Sequence, residues 1–153
     1  MQTRHARPLL NLRFAALSML ALAGPLACAS VAASSLEVEV HEAKNADGRV
    51  ICGLYDSAET FRKPGLQLAE ATSTITDGKA HCRFPQVAPG RYAVAAFHAE
   101  QGELQPSYGF LGKPKQGVAF TNNPSITFGP PRFDDAAIDV GAESLRVMIT
   151  LKY

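Results

Sequence analysis

The chain has 153 residues, 46% of them hydrophobic, with 12 Gly, 10 Pro and no Trp: enough apolar side chains for one core, and a Gly and Pro content that favours short strands joined by turns. Formal net charge is +1, but Arg4, Arg7 and Arg13 precede the first apolar run, and from Ser34 onward 12 Lys and Arg stand against 14 Asp and Glu, a net −2. Such a surface offers no basic footprint for nucleic acid and no attraction for an anionic membrane.

Residues 1–33 have the layout of a secretory signal peptide. Met1 to Arg13 form a basic segment, Phe14 to Ala23 a short apolar one, Gly24-Pro25 breaks it, and small residues run on to Ala33. The apolar run is too short to cross a bilayer, which takes roughly 20 residues. Val31-Ala32-Ala33 suits cleavage before Ser34, and Ala27-Cys28-Ala29, cutting before Ser30, is the alternative. Acylation of Cys28 would make a lipoprotein, but the Leu of Pro25-Leu26-Ala27 stands two rather than three residues before the Cys. The mature chain, 34–153, is expected to be a single domain with no transmembrane segment, either periplasmic or secreted.

Leu36 to Glu42 alternates strictly, with Leu36, Val38 and Val40 on one face, which predicts a half-buried strand. Asn45-Ala-Asp-Gly48 is a turn, and Arg49 to Tyr55 a second strand placing Val50, Cys52 and Leu54 on one face; the two strands are expected to form a hairpin. Asp56 to Phe61 suits one helical turn capped by Asp56 or Ser57, ended by Pro64-Gly65. A third strand is predicted at 71–76. Asp77-Gly78 is a two-residue hairpin signal, followed by a strand with Ala80, Cys82 and Phe84 inward. After Pro89-Gly90, Arg91 to His98 is apolar throughout, as expected of a central strand. Ala99 to Gly117 is a long polar loop. Short extended pieces are predicted at Val118 to Thr121 and Ser125 to Phe128, and a turn plus a strand within Phe133 to Val140. Ser144 to Tyr153 is the last strand, with Leu145, Val147, Ile149 and Leu151 inward. About seven strands in some 120 residues imply an all-β fold, an antiparallel β-sandwich, with a small barrel as the alternative.

Cys52 and Cys82 remain after cleavage, both on inward faces. In an oxidising compartment they are expected to form a disulfide closing a loop of about 30 residues, stabilising by roughly 3–4 kcal/mol on the chain-entropy model. Their spacing is not the C-x-x-C of a redox pair.

Pro89-Gly90, Tyr92, Phe97-His98, Gly112, Pro114, Gly117, Phe120-Thr-Asn-Asn123, Gly129-Pro-Pro131, Phe133 and Ala136 occur in the order and spacing of a bacterial family of exported proteins known as domain of unknown function 2141. Leu54 to Ser57 fits it too, so the chain resembles that family over nearly its whole mature length. The resemblance implies an Ig-like or transthyretin-like sandwich and no particular activity. In that family the segment after the His looks like a calcium loop. Here Ala99 stands at its first Asp, Gln101 and Glu103 at its two Asn, Leu104 at its Gly and Ser107 at its last Asp. Shifting the register to bring Leu104 opposite the family's Leu still puts Gln105 where the last Asp belongs. A hard cation wants about six to eight oxygens, so the loop is expected to be mobile and metal-free, and stability to be independent of calcium.

No nucleophile elbow, zincin motif, P-loop or dinucleotide fingerprint occurs. His41 and His81 alternate outward, and His98 ends a strand beside the long loop; a metal site recruiting His98 with either is weighed and set aside, and no cofactor is expected. The acid pairs Glu100 with Glu103 and Asp134 with Asp135 read as solvated. The surface best suited to a ligand is the loop set 99–117, 121–124 and 128–133, carrying His98, Glu100, Tyr108, Phe110, Asn122, Asn123, Phe128 and Phe133; aromatics with amides can bind a sugar or a peptide. The simpler and preferred reading is that these aromatics pack the loops onto the sandwich while Asn122-Asn123 makes a turn. The function expected is a non-enzymatic binding or accessory module of the cell envelope, its partner a carbohydrate, a peptide or an envelope protein. The rivals are a hydrolase or isomerase with a site near His98 and the 99–117 loop, and a purely structural envelope domain.

Overall fold

The computed structural model describes residues 33–110 and 113–153; the expected signal peptide, Cys28 included, lies outside the described residues except for Ala33. Eight strands and one short helix follow in order: β1 (Ser34–His41), β2 (Arg49–Tyr55), β3 (Ala69–Ser73), β4 (Ala80–Val87), β5 (Gly90–Ala99), β6 (Val118–Phe120), α1 (Phe133–Ala136), β7 (Ile138–Val140) and β8 (Leu145–Thr150). One sheet has the order β4-β1-β8 and the other β3-β2-β5-β6, with β7 pairing the start of β5. The fold is thus an all-β sandwich, and β5 is central, as its continuous apolar run predicts. Neighbouring strands are antiparallel except β1 and β8, which run parallel from Leu36↔Leu145 to His41↔Thr150.

The alternating residues do what their period demands. Leu36, Val38 and Val40 from β1, Ala80, Cys82 and Phe84 from β4, and Val50, Cys52 and Leu54 from β2 are buried between the sheets with Ile149 and Leu151. Cys52 and Cys82 are bonded, Cα to Cα 6.4 Å, 30 residues apart in the chain, and so clamp one sheet to the other. On the solvent side of β1, Glu37 takes Arg146 of β8 at 2.7 Å.

The expected β1–β2 hairpin is not formed: the two strands lie in different sheets. A period of two specifies which side chains go inward, and it is met equally by strands paired side by side and by strands stacked across a core. The linking segment, with Glu42 at φ 64° and Gly48 at φ 66°, carries the chain over between the sheets, held where Ala43 N donates to Gly78 O at 3.0 Å. Asp77 and Gly78 do make the two-residue turn, both at positive φ, with Thr76 and Lys79 bonded in both directions. Beyond it the chain diverges, β3 into one sheet and β4 into the other, and β3 ends at Ser73, earlier than expected. Residues 56–61 make a single turn, Phe61 N donating to Ser57 O, without a helix. No strand forms at 125–128, where Gly129 N closes a turn on Ile126 O.

A second apolar cluster covers the outer face of the larger sheet. Ile51, Tyr55, Ala93, Phe97, Val118 and Phe120 project from the strands, and Phe61, Phe133 and Ala136 are laid over them by the connecting segments. Phe61 meets the rings of Tyr55, Phe133 and Phe120 edge-on at 5.5, 5.8 and 6.1 Å, the geometry aromatic quadrupoles prefer.

Candidate functional site

His98 and Glu100, two of the candidate residues, occupy one corner of the sandwich. His98 is wholly buried. Its Nε2 lies 2.8 Å from the Asp47 carbonyl oxygen and its Nδ1 2.7 Å from the Tyr153 hydroxyl. A carbonyl can only accept, so Nε2 carries the hydrogen, which leaves Nδ1 to accept from the hydroxyl. The Tyr153 oxygen also accepts from Lys44 N at 3.1 Å, and burial pushes this phenol above its ordinary value of 10.0. Two glycines make room. A Cβ at Gly48 would come within 1.9 Å of the Ala99 carbonyl oxygen, and one at Gly117 within 2.4 Å of the Tyr153 ring. Glu100 is held by Lys44 Nζ at 2.8 Å and Asn45 Nδ2 at 3.2 Å; the Lys44 hydrogen bond holds its carboxyl below the ordinary 4.5.

The 99–117 loop is organised by Gln116. Its amide oxygen accepts from Ser107 N at 2.9 Å and its amide nitrogen donates to Glu103 at 3.1 Å, a bond that lowers the Glu103 pKa. The carboxylates of the loop are thus directed at protein donors. Among the described residues no three His, Cys, Asp or Glu side chains gather where they could share a metal ion.

Asn122 and Asn123 turn the chain after β6 with φ of 64° and 48°. Asn122 Nδ2 donates to the Ala137 carbonyl, and Asn123 both donates to Met148 O and accepts from Thr150 N. Their amides tie three segments together. Phe133 is buried in the outer cluster. Tyr108, Phe110 and Phe128 differ: Tyr108 is half-exposed, Phe110 is 89% exposed and Phe128 fully so, beside Leu104 at 81%.

Leu104, Tyr108 and Phe128 line a trough over the outer face of the larger sheet. One cleft, about 580 Å³ including the part open to solvent, lies between the 62–67 turn and residues 104–108, with Ile51, Gly53, Ala95 and Phe97 as its floor. A second depression, about 820 Å³ counted the same way, continues past Tyr108 to Lys113 on one side and Ile126 to Pro130 on the other. Tyr108 and Phe120 belong to both. The first cleft carries the polar groups of Tyr55, Arg62, Gln67 and Glu70. Burial, with help from Glu70 and Tyr108, raises the Tyr55 pKa, so its hydroxyl stays protonated and able to donate. His98, Glu100, Phe110, Asn122, Asn123 and Phe133 line neither cavity; of the residues on the candidate ligand surface, Tyr108 and Phe128 do.

Sequence reasoning missed Tyr55, Arg62 and Glu70. Gly53 was a readable signal, since a glycine inside a strand of Val, Ile, Leu and Tyr marks a place where something approaches the backbone. Here the ring of Tyr55 lies 3.0 Å from where its Cβ would be. Arg62 carried no such signal.

The family model described as "Uncharacterized protein conserved in bacteria (DUF2141)" matches residues 38–148. No curated protein and no solved structure matches the chain.

Proposed function

The chain belongs to the DUF2141 family of bacterial proteins, and on that premise we propose that it is an exported, non-enzymatic binding module of the cell envelope, taking its ligand in the trough that Tyr108 divides. The observation that carries this is the placement of the exposed Leu104, Tyr108 and Phe128 around an apolar-floored trough. Contiguous exposed apolar side chains around a concave surface mark interaction sites in soluble proteins. The burial of His98 and the pairing of Glu100 with Lys44 support binding over hydrolysis, because a general base must be within reach of a substrate. Export is supported by the inter-sheet disulfide, which suits an oxidising compartment, and by the signal-like residues 1–33 ahead of the domain at 34–153. Among the described residues no helix is long and apolar enough to cross a membrane.

Titration with 3-phenylpropanamide, a neutral aromatic probe, followed by backbone amide NMR tests the trough. Shifts should gather at Gly53, Ala95 and Phe120 and disappear in Tyr108→Ala. Absent shifts, or shifts scattered over both sheets, would overturn the assignment. Protein from the native envelope should begin near Ser34 by mass spectrometry, and an intact Met1 in a cytoplasmic fraction would refute export.

A further inference from the structure

The wall of the first cleft narrows the chemistry of the ligand. Arg62 stands in the turn after β2 at φ 60°, its guanidinium carbon 5.7 Å from the centroid of the Phe61 ring. Its Nε is buried and has no hydrogen-bond partner among the described residues. The other cations near carboxylates are spoken for: Lys44 by Glu100, Lys79 by Glu39, Arg91 by Asp134, Arg146 by Glu37. Arg62 has no such ion pair among the described residues, and none of the remaining residues, 1–32 and 111–112, is Asp or Glu. Glu70, the carboxylate on the same wall, accepts instead from Gln67 Nε2 at 3.0 Å.

A desolvated N–H without an acceptor is costly, and Arg62 lines the cleft with no carboxylate of the described residues to balance its charge. Guanidinium presents its donors as a planar fork that matches two oxygens of one anion. The cleft beside it offers an apolar floor at Gly53, Ala95 and Phe97. We propose that the cleft binds a ligand that presents a carboxylate to Arg62 and lays an apolar or aromatic body over that floor. A single positive side chain with Glu70 on the same wall suits one negative charge better than the two of a phosphate. The inference rests on the trough being the ligand site.

The experiment compares three probes of similar shape, 3-phenylpropionate, 3-phenylpropanamide and phenyl phosphate, by the same NMR titration at pH 7, with the unaltered protein and with Arg62→Gln. The carboxylate should bind roughly tenfold more tightly than the amide. In R62Q its affinity should fall to that of the amide, while the amide, which also reports that the variant is folded, keeps its own. Equal binding of acid and amide to the unaltered protein overturns the inference while leaving the trough standing. So does a carboxylate preference that survives R62Q, or loss of amide binding in that variant, which would make Arg62 a support of the cleft wall. Tighter binding of phenyl phosphate than of the carboxylate overturns the choice of anion. Absence of binding by both acid and amide at millimolar concentration overturns the trough itself.

Discussion

His98 lies beside the ring of Tyr153 and Arg62 beside that of Phe61, and the two differ in how much of their hydrogen-bonding capacity the protein itself uses. Both ring nitrogens of His98 are engaged, on a carbonyl of the 45–48 turn and on the hydroxyl of the last residue. Glycines on two sides let the backbone and the Tyr153 ring close in around it. Arg62 stacks on a ring that is itself packed among three others, yet keeps a buried donor without an acceptor among the described residues. Saturation with tight packing is the mark of a group that holds the fold. Arg62 lines the cleft with its charge unpaired among the described residues.

His98→Phe should separate the two sites most sharply. It removes both hydrogen bonds of a wholly buried side chain, a loss of about 2–4 kcal/mol, read as a lowered urea midpoint with unchanged slope. Stability within error of the unaltered protein would break the contrast. Gly117→Ala probes the packing of the same corner without touching a polar group. Its methyl would sit 2.4 Å from the Tyr153 ring, so the ring must move, costing about 1–3 kcal/mol and changing the Tyr153 fluorescence.

The rim of the corner should also answer to acid. The carboxyl of Glu100 titrates below the ordinary 4.5 because Lys44 and Asn45 bind its charged form. Its stabilisation is therefore complete above about pH 4.5 and is lost as pH falls through the lower folded value. Thermal melts from pH 6 downward should show a decline below about pH 4.5 that is shallower in Glu100→Gln; parallel curves would assign the acid sensitivity to other carboxylates, such as Glu37 with Arg146. The smallest effect is expected at the other site. Arg62→Gln should change stability by no more than about 0.5 kcal/mol, because the guanidinium makes no ion pair among the described residues. A large loss there would turn Arg62 into a second structural pin.

The 99–117 loop shows why the acidic family pattern was hard to weigh from sequence. Glu100 and Glu103 read as a solvated acid pair in a loop that has lost the family's oxygen ligands. Lys44, Asn45 and Gln116, which take up their charge, come from distant residues whose approach no spacing rule announces. The Asn122-Asn123 pair was legible as a turn because its signal is local: both residues tolerate the left-handed region, and both occupy it.

What the amino-acid sequence determined by itself was local or periodic: the bounds of β2 and the inward faces of β1, β4 and β8, the Asp77-Gly78 turn, the central place of β5, and two inward cysteines able to meet. Each follows from the two-residue period of a strand or from the φ a turn demands. Only the tertiary structure decided which strands pair. It set β1 beside β8 in parallel and stacked it across the core from β2, since inward-facing residues pack equally well in either arrangement until the connecting segments choose. It also made the cleft, because Tyr55, Arg62, Glu70 and Tyr108 meet where a turn after β2, an edge strand and a distant loop converge over one glycine.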